Sequence, residues 1–142
     1  METKFNFKSS VCTSREQSER LLALGLKKET ADMVHYMNEW GVLATPWRDD
    51  YEGYKCYYPA WSLGRLLEML PSIIPISEDL PTFHHYAYLD LSKVSAHYYW
   101  EDYDGDERAL VSFCGNGFFA AVVDATEWLI KEGNFPKEYL EE

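Results

Sequence analysis

Between residues 83 and 114 the chain carries three strand-like runs, 83–91, 94–100 and 108–114, and this block limits the possible folds more than any other segment. The last two runs are joined by Asp102-Tyr103-Asp104-Gly105-Asp106, where Asp-Gly supplies the positive φ that a tight hairpin needs. Three short runs with such turn chemistry predict an antiparallel meander. A stripe of Phe119, Val122, Val123, Thr126, Leu129 and Ile130 then predicts a helix over 118–131, ended by Gly133 and lying across that sheet.

Helix signals also mark the first half. Thr13…Glu16 and Ser14…Gln17 both fit the capping-box spacing, so a helix is expected to about Leu24, with Leu21, Leu22 and Leu24 inward, Gly25 at its exit and Leu26 as anchor. A second short helix is read at 29–37. Residues 41–47 and 54–58 read as the two strands of a hairpin around Asp49–Gly53, and Ser62 caps a helix over 63–70 that Pro71 stops. Pro75 and Pro81 predict an irregular stretch, and residues 1–12 a short strand or a loose end.

With 142 residues, 46% of them hydrophobic, the chain has the size and apolar surface of one domain, 1–142. The fold class expected is α+β: an antiparallel sheet, hairpin plus meander, with three to four helices packed mainly on one face.

The charge is one-sided. Residues 1–71 carry 9 basic and 10 acidic side chains (net −1), whereas residues 72–142 carry 4 and 14 (net −10). A field of that sign repels a phosphate backbone, which argues against direct nucleic-acid binding. Cys12, Cys56 and Cys114 form no CxxC pair and are odd in number, so they read as reduced thiols. Lys4 and Lys8 have no signal-peptide core behind them, and no run approaches the length of a membrane span, so a cytoplasmic location without membrane contact is expected.

Several motifs lose their chemistry on inspection. Gly115-Asn116-Gly117-Phe118-Phe119-Ala120 has the letters of a dinucleotide fingerprint, but the chain runs only one helix further and leaves no room for a second parallel strand. Glu101–Glu107 gathers five carboxylates in seven residues. Taking Gly105 as the sixth position of a calcium loop nevertheless puts Trp100 at the first and Val111 at the twelfth, where carboxylates are required. His84 and His85, in a strand, would point to opposite faces and could not chelate one ion. Cys56 and Cys114 are expected to be buried, and an acidic chain stabilises few thiolates. No motif specifies a cofactor, a metal or a catalytic residue.

Two features suit a protein partner. Trp47, Tyr51, Tyr54, Tyr57, Tyr58 and Trp61 form either an outward aromatic patch on the hairpin or cross-strand packing beneath a helix. The acidic turn supplies Asp102, Asp104 and Asp106.

The segments TSREQSERLLALGLKKETADM (13–33), PAWSLGRLLEMLP (59–71) and ATEWLIKEGNFPKEYL (125–140), in that order, resemble uncharacterised small acidic proteins of prophage-like and other mobile elements in gut anaerobic bacteria. The likeness covers most of the chain beyond residue 12 and carries no activity or site residue. It implies an accessory protein acting inside a bacterial cell. The expectation is therefore a non-catalytic protein-interaction protein. The alternatives are an acidic DNA mimic that inhibits a host nucleic-acid enzyme, and a small hydrolase using His84, His85 or His97 with Asp90 or Asp104.

Overall fold

The computed structural model describes residues 11–38, 41–46, 57–114 and 116–142, with the backbone alone at 37–38, 41–44 and 57. The first helix, α1 (Arg15–Ala23), begins where the capping chemistry places it. Ser14 Oγ accepts the Gln17 N–H at 3.2 Å, and Gln17 Oε1 accepts the Ser14 N–H at 2.8 Å, so two amides without helical partners are satisfied at once. Gly25 (φ 102°) turns the chain out, and the Leu26 N–H returns to the Leu21 carbonyl at 3.1 Å.

The next segment departs from the expected helix over 29–37. A single 3-10 turn, Lys28–Thr30, leads into strand β1 (Met33–Asn38), the centre of a three-stranded antiparallel sheet. A run as short and nearly continuously apolar as Ala31–Met37 fits a helix face or a buried strand equally well, so periodicity alone could not separate them. Strand β2 (Gly41–Pro46) pairs with one edge of β1, and β3 (Tyr57–Ala60) with the other, in the order β2-β1-β3. Where the expected hairpin strands are described, at 41–46 and 57–58, they are strands, but they pair with β1 rather than with each other. Residues 47–56, with the expected turn Asp49–Gly53, lie outside the described residues.

Helix α2 (Leu63–Met69) starts at Ser62, whose Oγ accepts the Arg65 N–H at 3.1 Å. Asp32 secures this junction by accepting both the Ser62 N–H (2.8 Å) and the Ser62 hydroxyl (2.5 Å). Strand β4 (Ile73–Pro75) forms where an irregular stretch was expected. Its proline ends a three-residue edge strand, a position that tolerates the missing N–H.

The meander is as expected: β5 (Tyr86–Leu91), β6 (Ala96–Glu101) and β7 (Glu107–Phe113) join β4 in the order β4-β5-β6-β7, all antiparallel. A register shift between Tyr98 and Tyr99 makes Leu110 the extra residue of a bulge on β7. Helix α3 (Phe118–Glu132) ends at Gly133 (φ 76°), and the Asn134 N–H caps the Leu129 carbonyl at 2.9 Å.

Helix α3 covers one face of the four-stranded sheet. Ala96 on β6 meets Ala121 and Ala125, and these small side chains let helix and sheet approach closely. Around them Ile74, Ala87, Tyr98, Trp100, Val122, Val123 and Leu129 form the main core together with Leu21, Trp61 and Leu66 from the first half. The last described segment returns to the exit of α1, where the Lys27 N–H bonds the Tyr139 carbonyl (2.9 Å) and the Glu141 N–H bonds the Gly25 carbonyl (2.7 Å). The architecture is α+β, with three α-helices and two antiparallel sheets among the described residues.

Candidate functional site

Strand alternation fixes what the uncovered face of the four-stranded sheet presents. On β6, Ala96, Tyr98 and Trp100 are buried, which turns His97, Tyr99 and Glu101 outward. On β5, Ala87 is buried, and Tyr86, Tyr88 and Asp90 face out. Register lays these side chains in rows: Ile73, Tyr88, Tyr99 and Ala109 in one, and Asp90, His97 and Ser112 in the next, while Glu101 stands opposite Glu107.

The middle row is aromatic. Tyr88 and Tyr99 are a direct cross-strand pair with ring centroids 5.9 Å apart, flanked by Ile73 and by Leu110 of the bulge. Ile73 is 49% exposed, Tyr86 50% and Tyr88 38%, so this apolar surface is open to a partner rather than folded away.

Its rim is acidic. Shielding by neighbours, then Glu107, Asp90 and Glu101, push the Tyr99 hydroxyl above its ordinary pKa, as expected where three carboxylates surround one ring. Glu101 and Glu107 are directly opposed, an arrangement that costs free energy through like-charge repulsion, and neither is paired with a cation among the described residues. His97 Nε2 lies 3.1 Å from Asp90 Oδ2, the shortest side-chain contact of this face among the described residues.

At the end of this face, beyond the Pro75–Tyr86 pair, the chain frames an open groove of about 440 Å³. It is lined by Ile76, Glu78, Phe83, His84 and His85, and by Pro75 and Tyr86, which also belong to the outer face. Backbone bonds fix its shape: Ile76 N–H to the His85 carbonyl (3.1 Å) and Tyr103 N–H to the Pro81 carbonyl (3.1 Å). His84 and His85 precede β5 rather than lying within it, so the strand expected from residue 83 starts at Tyr86. Of the groups considered for acid–base chemistry, His84 and His85 line this groove, whereas His97 pairs with Asp90 on the open sheet.

The acidic turn proves architectural at its first member. Asp102 Oδ1 accepts the N–H of Asp104 (2.9 Å) and of Asp106 (3.0 Å), while Oδ2 accepts Arg108 Nε at 2.9 Å. The Asp106 amide, with the Arg108 and Asp104 donors, holds the Asp102 carboxyl below its ordinary pKa. Asp102, Asp104 and Asp106 bring one oxygen each within 4.8 Å of the others, but those of Asp102 already serve three donors in the turn.

The aromatic group expected on the first hairpin divides. Trp61 is fully buried, with its indole N–H donated to Thr30 Oγ1 at 2.9 Å, so it belongs to the core and not to a binding surface. Its position between β3 and α2 dictates this, because both elements pack inward there. Tyr58 is half-buried beneath the Arg15 guanidinium, 5.4 Å from its ring centroid. Trp47, Tyr51, Tyr54 and the side chain of Tyr57 lie outside the described residues.

The thiols separate likewise. Cys12 is buried, and burial, then Asp32, raise its pKa. Cys114, expected to be buried, is exposed, because β7 is an edge strand that ends one residue before it. Cys56 lies outside the described residues. Gly117 (φ 98°) opens α3 from an antiparallel strand, so the fingerprint letters mark a helix start.

The residues that make the outer face, Ile73, Tyr86, Tyr88, Tyr99 and Leu110, were not singled out in the sequence. The available signal was alternation around Ala87 and Ala96, whose missing bulk marks the helix-covered side. No helix among the described residues is long and apolar enough to cross a membrane. Comparison with known proteins finds no matching family model, no matching curated protein and no matching solved structure.

Proposed function

We propose that this chain is a non-catalytic interaction protein whose outer sheet face takes a cationic segment of another protein. The observation that supports it most is the Tyr88–Tyr99 pair ringed by Asp90, Glu101 and Glu107, with the two glutamates opposed and without a cation partner among the described residues. Repulsion between opposed carboxylates is relieved by a cation placed between them, and tyrosine rings bind guanidinium and ammonium groups on their faces. The surplus of acid in the second half of the chain adds long-range steering toward such a partner.

The test is a titration with a labelled peptide of alternating arginine and apolar residues. Tyr88→Ala with Tyr99→Ala leaves the charge unchanged and removes the aromatic row. It is expected to weaken binding about tenfold, given roughly 0.5–1 kcal/mol for each exposed cation–ring contact. Equal affinity for the double variant would leave only diffuse attraction between opposite charges and would sink the proposal. A basic nucleic-acid enzyme is one partner of this class, and capture that vanishes in high salt would point to it.

A further inference from the structure

The groove beside the outer face offers hydrogen-bond acceptors and ring faces, and among the described residues no lysine or arginine lines it. Glu78 supplies an exposed carboxylate. His84 and His85 supply imidazoles, and the Nδ1 of His85 is shielded from water and has no hydrogen-bond partner among the described residues. Phe83 is 74% exposed and Tyr86 50%, an unusual display for rings on adjoining walls of one concavity.

A ligand that suits this set donates several N–H bonds, carries positive charge and is flat enough to lie on a ring. A guanidinium meets all three conditions, whereas an ammonium lacks the planar stacking surface.

We propose that this groove seats an arginine side chain of the cationic partner. Its guanidinium would lie flat on the Phe83 or Tyr86 ring, with its N–H groups turned to Glu78 and the histidine edge of the groove. The proposal rests on the reading of the outer face given above, and Tyr86 and Pro75 make groove and face continuous. The walls are pre-organised, because Phe83 packs edge-on against Tyr103 and the Pro81 carbonyl is held by the Tyr103 N–H. Little ordering is then required when the side chain enters.

The test titrates ¹⁵N-labelled protein with N-acetyl-arginine amide, using the lysine amide and the neutral citrulline amide as comparators. Saturable shifts centred on Ile76, Glu78 and residues 83–86 are expected with arginine, about threefold weaker with lysine and absent with citrulline. Glu78→Gln and Phe83→Ala, both at exposed positions, should each weaken the arginine response about threefold or more. Citrulline shifts equal to those of arginine, or an arginine response that survives both variants, would overturn the proposal.

The labelled cationic peptide separates this failure from failure of the face. Loss of its affinity in both the tyrosine and the groove variants supports both readings. Loss in the tyrosine variant alone removes the arginine seat and leaves the face. No loss in either removes both.

Discussion

Phe83 meets Tyr103 edge to face, with ring centroids 4.7 Å apart and planes at 66°, so one wall of the groove leans on the tip of the β6–β7 turn. That tip is shaped by Asp102, whose two oxygens gather the amides of Asp104 and Asp106 and the Arg108 guanidinium. Removing this carboxylate should therefore be felt beyond the turn. Asp102→Ala is expected to lower the urea midpoint and to move the amide resonances of Tyr103 and Phe83. Asp104→Ala, at an exposed side chain with no bond in the turn, should stay within about 0.5 kcal/mol of wild type. Equal effects of the two substitutions would show that the Asp102 bonds do not organise the tip.

The same carboxyl gives a pH dependence of known sign. Its pKa is lowered in the folded state, first by the Asp106 amide, so the folded protein binds this proton less readily than the unfolded chain. The stabilisation is present above the ordinary aspartate pKa of about 3.9 and is lost as pH falls through the lower folded value. The stability gap between wild type and Asp102→Asn should be full at pH 7 and should shrink below about pH 4. A gap that stays constant down to pH 2.5 would contradict the assignment.

Capping and turn chemistry made much of this fold readable in advance. Ser14 with Gln17, Ser62, Gly105 and Gly133 act through bonds or backbone angles within a few residues, and each lies where its local pattern puts it. Strand β1 was not readable, because what makes Met33–Asn38 a strand is distant: β2 and β3 on its two edges, and Asp32 holding Ser62 thirty residues away. The outer face was hidden for a related reason. Tyr88 and Tyr99 become neighbours only through the β5–β6 register, and the side of the sheet left bare is decided by where α3 docks. Trp61 was misleading because a tryptophan among tyrosines looks the same in sequence whether its ring is core or surface, and burial is settled by the elements that cover it.

Tyr98 tests the core on the opposite side of β6. Its ring is fully buried, and its hydroxyl donates to the Pro71 carbonyl at 2.7 Å, tying the meander to the end of α2. Tyr98→Phe keeps the ring and strands that carbonyl, so a loss of about 1–2 kcal/mol is expected in urea unfolding. Burial pushes the hydroxyl far above the ordinary tyrosine range, so it remains a neutral donor and the loss should be the same at pH 6 and pH 9. A loss that appears only at one of these pH values would argue against a neutral donor to Pro71.

Thiol reactivity provides the last check, because two cysteines face opposite conditions. Cys12 is 7% exposed, and its pKa is raised by burial and by Asp32, both of which disfavour the thiolate that alkylating reagents attack. The imidazole beside it gives no help: His35 Nε2, 3.8 Å from Sγ, lies 2.7 Å from the Thr13 carbonyl, which only accepts, so that nitrogen carries a proton already committed. Cys114 is exposed at the end of β7. Iodoacetamide at pH 7.5, followed by peptide mass spectrometry, should modify Cys114 at least about tenfold faster than Cys12, and the difference should collapse in urea. Native rates within a factor of two would mean that Cys12 is open to solvent or held as thiolate, and its packing against Met33 and Ala60 would have to be revised.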